Sequence, residues 1–90
     1  MTSAQVELRR LVERWQQLPL DQALSRMPVV RPVVQQLADA VADVEARPRV
    51  EVPDLGPRTV MDQLTVVAYD ASQAGVDPAP QLERLRRDLS

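Results

Sequence analysis

Arg58-Thr-Val-Met-Asp-Gln-Leu-Thr-Val-Val-Ala-Tyr-Asp-Ala-Ser-Gln-Ala-Gly75 decides the fold class of this 90-residue chain. Val60, Leu64, Val67 and Ala71 recur at helical spacing, and Met61 and Ala68 widen the stripe. An apolar stripe of that period marks an amphipathic α-helix rather than a strand. The valines do not argue against it, because the chain contains no Ile and Val takes its place in helical registers. Gly75 suits the left-handed residue that closes a helix.

Upstream, residues 47–57 read Arg-Pro-Arg-Val-Glu-Val-Pro-Asp-Leu-Gly-Pro. Three prolines and a glycine exclude a helix there. Val50 and Val52 alternate with Arg49 and Glu51, which allows a short extended piece, and Pro53 confines it to an edge. Gly56, in the step Asp54-Leu55-Gly56-Pro57, can take the positive φ needed at the entry to the next helix.

Before this linker the period predicts three helical segments. The first covers about 4–18, with Leu8, Leu11, Val12, Trp15 and Leu18 on one face, Thr2 or Ser3 as cap, and Pro19 as terminator. The second is short, about 21–27, capped by Asp21, carrying Leu24 and Met27, and closed by Pro28. The third runs from about Val30 or Pro32 to Ala46 on the stripe Val30, Val33, Val34, Leu37, Val41 and Val44. After Gly75, Asp77-Pro78 predicts a cap and first-turn proline for a last helix to about Leu89, with Leu82, Leu85 and Leu89 inward. The expected fold is all-α: one domain over 1–90, a small bundle of four main helices plus one short helix, with a proline-rich crossing loop before the fourth main segment.

Composition narrows the chemistry. The chain has no His, no Cys and no Lys, so it lacks an imidazole, a thiolate and an amine. No cofactor motif is present: the only glycines are Gly56 and Gly75, too few for a phosphate loop. The absence of Lys, Ile, Asn and Phe, with all eleven basic residues Arg, follows the codon bias of a GC-rich genome. Each half of the chain carries a net charge of about −1, summing to −2. Arg84, Arg86 and Arg87 are broken up by Glu83 and Asp88. That pattern lacks the positive footprint of a nucleic-acid binder. No stretch approaches the ~18 apolar residues of a membrane span, and the N-terminus has no signal-peptide pattern. A cytoplasmic location is expected.

Candidate functional residues are few. Tyr69 sits on the helical wheel away from the Leu64–Val67 stripe, beside Asp62, Val66 and Gln73. These four could form an exposed face for a protein partner or a second protomer, since tyrosine is enriched at interface hot spots; the competing reading buries both sides of the helix. In the linker, Val50, Val52 and Leu55 could dock on a partner, against the plainer reading that they cover the core. Trp15 reads as core, because a cation cage needs several aromatics. Asp39 and Asp43, at i,i+4, read as a solvated face rather than a metal or acid–base pair. The last helix reads as packing on its own bundle rather than as a detachable docking helix.

Pro53-Asp54-Leu55-Gly56-Pro57 followed by Val60-Met61-Asp62-Gln63-Leu64 and Val67-Ala68-Tyr69-Asp70-Ala71 resembles small uncharacterised helical proteins of actinobacteria. The resemblance covers about a quarter of the chain and implies a helical fold without an activity. The expected function is that of a non-enzymatic, cytoplasmic interaction or regulatory module whose partner is another protein or a second copy. The alternative is a small helical enzyme or binder that holds an anionic metabolite with Arg and carboxylates. Its signature would be several Arg and an acid converging on one pocket. A repressor-like reading would need DNA contact, which the balanced charge opposes.

Overall fold

Four α-helices make up the regular structure of residues 2–89, the part of the chain that the computed structural model describes. They are α1 (Ser3–Gln16), α2 (Leu20–Val44), α3 (Val60–Gln73) and α4 (Ala79–Asp88). No strand occurs among the described residues.

α1 begins in a capping box. The Thr2 hydroxyl accepts the Gln5 amide while the Gln5 side chain accepts the Thr2 amide, so two otherwise orphaned donors are paired. At the other end of the chain, Asp77 accepts the Ala79 amide and Pro78 stands at the N-cap of α4. Arg86 and Arg87 lie at the negative end of the α4 dipole.

The main departure from the sequence reading is in α2. The expected short helix at 21–27 and the helix from 30 or 32 onward are one continuous 25-residue helix, with Pro28 and Pro32 inside it. Each proline removes an amide that would bond four residues back, which leaves the carbonyls of Leu24 and Pro28 without that donor. Both prolines are exposed and lie one turn apart on the same side. The two missing bonds therefore fall on the exposed side of the helix, away from the face that packs into the core. Continuity also sets the phase. Ala23, Met27, Val30, Val34, Leu37 and Val41 all point into one core, so Leu20 and Leu24 are turned outward, 59% and 52% exposed. Asp21 is a first-turn residue rather than the N-cap, which is Pro19. Val44, expected on the inner stripe, is exposed at the helix end.

α2 and α3 end alike. After α2 the Arg47 amide reaches back to the Ala42 carbonyl and Ala46 to Asp43; after α3 Val76 reaches Ala71 and Gly75 reaches Ser72. Both are Schellman closures with a left-handed residue. After α3 that residue is Gly75 at φ 81, as expected; after α2 it is Ala46 at φ 54.

The chain then runs back along α2. Arg49 reaches Asp43, Gln35 reaches Val50 and Val52, and Arg31 reaches Asp54. The early part of α3 (Val60, Gln63) shares a groove with Pro28–Gln35, and its later part (Val67, Asp70) shares one with Ala38–Ala42. α2 and α3 therefore run parallel, joined by an extended strap. Extended chain advances ~3.3 Å per residue against ~1.5 Å in a helix, so a short strap retraces most of α2.

α1 packs chiefly on α4 and α2 chiefly on α3; α4 also touches α2, and α1 meets α3 more lightly. One cluster takes side chains from all four helices, including Leu11 and Trp15 of α1, Leu37 of α2, Leu64 of α3, and Leu82 and Leu85 of α4. Leu89 is buried with them. No charged or polar residue is buried among the described residues. None of the helices is long and apolar enough to cross a membrane.

Candidate functional site

The strap is held by polar clasps. The Gln35 amide donates to the Val50 carbonyl at 3.0 Å and accepts the Val52 amide at 2.8 Å. One primary amide thus plays the part of a neighbouring strand's peptide group. The same Gln35 nitrogen lies 2.9 Å from an Asp39 oxygen. Arg49 forks onto both oxygens of Asp43, at 3.0 and 2.7 Å, with Asp39 at 3.9 Å. Its hydrogen bond holds the Asp43 carboxyl below the ordinary carboxylate range, and the same bond pushes the Arg49 guanidinium above its ordinary value. Gln63 of α3 donates to the Pro53 carbonyl, and the buried Trp15 indole donates to Pro57 at 2.8 Å. At the strap's end Gly56 adopts φ 90, its amide bonds Asp54, and its carbonyl accepts the Thr59 and Val60 amides that open α3.

A groove of about 530 Å³ lies between the strap and α2. Val34, Val52 and Val60 are among its apolar residues, and it brings Arg31, Arg49, Asp39 and Glu51 together. Two cations and two carboxylates leave it close to neutral, and Arg49 and Arg31 are already engaged by Asp43 and Asp54. Each resolved shift in ionisation, at Asp43, Arg49 and Arg86, deepens the charged form. For Arg86 the cause is its hydrogen bond to Glu7, which ties α4 to α1. None of the three is thereby poised to exchange a proton near neutral pH.

The second surface is the outer side of α3. Tyr69 is 63% and Val66 58% exposed. Asp62 and Gln73, on the same side, are exposed too. The reading in which α3 buries both sides is therefore overturned: its partners cover only the Val60–Leu64–Ala71 side. Beside Tyr69 a groove of about 410 Å³ opens between α1 and α3, with Ala4, Leu8 and Ala68 among its apolar residues and Gln5 and Ser72 among its polar ones. No charged residue lines it.

The seven residues singled out from the sequence thus separate. Asp62, Val66, Tyr69 and Gln73 share one exposed face. Val50 and Leu55 are exposed on the strap, Val50 by 73%. Val52 is half-buried against the core and anchors the strap from beneath, so it belongs to the covering role. Tyr69 and Val50 line different grooves. The sequence reading missed the line Gln35–Asp39–Asp43, spaced i,i+4,i+8, as the strap's clasp. The signal was there in the spacing, but it carries meaning only once the chain is known to reverse at Ala46 and run back beside that line. It also missed the exposed Leu20 and Leu24, whose orientation depends on α2 being unbroken. Compared with family models, curated proteins and solved structures, the chain finds no match.

Proposed function

We propose that the protein is a non-enzymatic interaction module, acting in the cytoplasm, that engages another protein chain through the outer face of α3. The observation that carries this reading is the exposure of Tyr69 and Val66 beside a groove free of charge. Cores of protein interfaces are depleted in charge and enriched in tyrosine. Tyrosine also brings large contact area at little entropic cost, having only two side-chain torsions. The groove that does hold charge supports the same reading, because its cations are matched by carboxylates of the chain itself.

A photo-reactive phenylalanine placed at position 69 tests the proposal in the cells that make the protein. Illumination should give a discrete covalent adduct to a protein chain that the same probe at Glu83, on the exposed side of α4, does not give. Absence of any position-69 adduct counts against the proposal.

A second reading rests on the convergence of Arg31 and Arg49 in the strap groove: a small anionic metabolite displaces Asp54 and Asp43 from them. Calorimetric titration with di- and tricarboxylates and phosphorylated sugars would show heats abolished by Arg49→Gln.

A further inference from the structure

We infer that residues 48–55 form a latch that lifts off the helices as one unit, between two fixed posts, while all four helices stay folded. The fastenings decide this. Pro48 and Pro53 bring no amide to a hydrogen-bond ladder, and among the described residues no backbone-to-backbone bond involves 48–55. The strap hangs on side chains instead: Gln35 on Val50 and Val52, Gln63 on Pro53, Asp43 on Arg49, and Arg31 on Asp54. Of Val50, Val52 and Leu55, only Val52 packs on the core. Grooves of about 530 and 280 Å³ flank the strap, and residues 50–53 line both. A segment with one apolar peg and mostly exposed bonds opens at a free energy well below that of the core.

The two ends hold without the strap. At one, the Ala46 and Arg47 amides are tied back to α2. At the other, the Gly56 carbonyl accepts the Thr59 and Val60 amides, and the Trp15 indole holds Pro57. Extended chain from Ala46 to Gly56 covers about 33 Å, against about 27 Å from Ala46 back along α2 to Pro28, which shares a groove with Gly56. That slack lets the strap bow outward by up to about 9 Å with both posts in place. Lifting withdraws Val52 and bares the furrow walled by Val34 and Val41 of α2 and Val60 and Val67 of α3. It also frees the Gln35 carboxamide, a donor and an acceptor side by side. The open form thus presents an apolar furrow that the closed form covers, and whatever holds the furrow shifts the latch open.

Native-state hydrogen exchange tests the latch, with circular dichroism to confirm that each variant keeps its helices. The Val52 amide should be protected at least about a hundredfold less than the Leu64 amide inside α3. Urea below the unfolding transition should lower the protection of Leu64 and leave that of Val52 unchanged. Asp43→Asn and Gln63→Met loosen opposite ends. The first should speed exchange at Val52 about twofold to fivefold and the second about threefold to tenfold, with Leu64 unmoved. The chain has no Cys, so Val34→Cys places a single thiol beneath the strap. An aromatic disulfide reagent should reach it in the folded protein, and Gln63→Met should raise that rate by the same factor as the Val52 exchange. Val52 and Leu64 exchanging together, with the same urea dependence, overturns the inference, because the strap then opens only with the whole molecule. So does an end variant that speeds only the amides beside it, or a thiol at position 34 that reacts only when the helices unfold.

Discussion

Two residues in the same backbone position show how far a single Cβ matters. Ala46 and Gly75 both close a helix at positive φ. A left-handed L-residue costs roughly 1–2 kcal/mol, while glycine loses more backbone freedom on folding, by roughly 0.5–1 kcal/mol. Ala46→Gly should therefore stabilise the protein by about 0.5–1 kcal/mol, and Gly75→Ala should destabilise it by about 1 kcal/mol. Beyond the adjoining residues no heavy atom lies within 4 Å of where a Cβ on Gly75 would stand, so that loss is conformational rather than a packing clash. Urea denaturation of the two variants checks both signs at once. Gln35 matters for another reason: its amide is both donor and acceptor to the strap. Gln35→Glu places a carboxylate oxygen against the Val50 carbonyl and should cost more than Gln35→Ala. The measurement is hydrogen exchange at the Val52 amide, which should speed up about tenfold or more on loss of a bond worth ~1–1.5 kcal/mol.

The elements carry their own predictions. α2 keeps its helix through two prolines that a helix interior disfavours by about 3 kcal/mol each relative to alanine. Both are on the solvent side, so Pro28→Ala or Pro32→Ala should raise the melting temperature, by about 1–3 kcal/mol of stability once the greater freedom of the unfolded chain is set against the restored hydrogen bond. A variant that melts earlier would mean that the missing bonds are needed for the shape of α2. The strap has a pH dependence whose sign follows from Asp43. Its folded pKa lies below 3.8 because Arg49 donates to it. The clasp is therefore complete above the ordinary carboxylate value and is lost as pH falls through the lower, folded one. Both partners are exposed and screened by solvent, so the effect is local. Amide exchange in 49–52 should rise on acidification in the wild type, and Asp43→Asn should show the faster exchange already at neutral pH.

At the scale of the whole molecule, the core is one cluster shared by four helices, and its centre tolerates little. Leu64 is fully buried, so Leu64→Ala should cost about 2–5 kcal/mol, a large share of the stability of so short a chain. Chemical denaturation read by the single Trp15 measures it, since its indole bonds Pro57 across 42 residues of sequence and reports on the docking of α1 against the strap.

What was legible in the sequence follows from locality. Leu64, Ala68 and Ala71 repeat within one helix, so their period alone turned them inward. The Thr2 cap, the closure at Gly75 and the positive φ of Gly56 are likewise settled within a few residues. Helical class and the inner faces of α1, α3 and α4 could therefore be read directly, while the outer side of α3, with Asp62 and Gln73, stayed open between exposure and burial. The tertiary structure decided the rest. Proline is locally a helix breaker, and only burial of Ala23, Met27 and Val30 with Val34, Leu37 and Val41 in one core outweighs two lost hydrogen bonds and makes α2 continuous. Whether Tyr69 faces water depends on which neighbours α3 finds, and whether Asp43 is idle or a clasp depends on where the strap returns. Those are contacts between residues far apart in the chain, set by the packing of whole helices, and no local spacing encodes them.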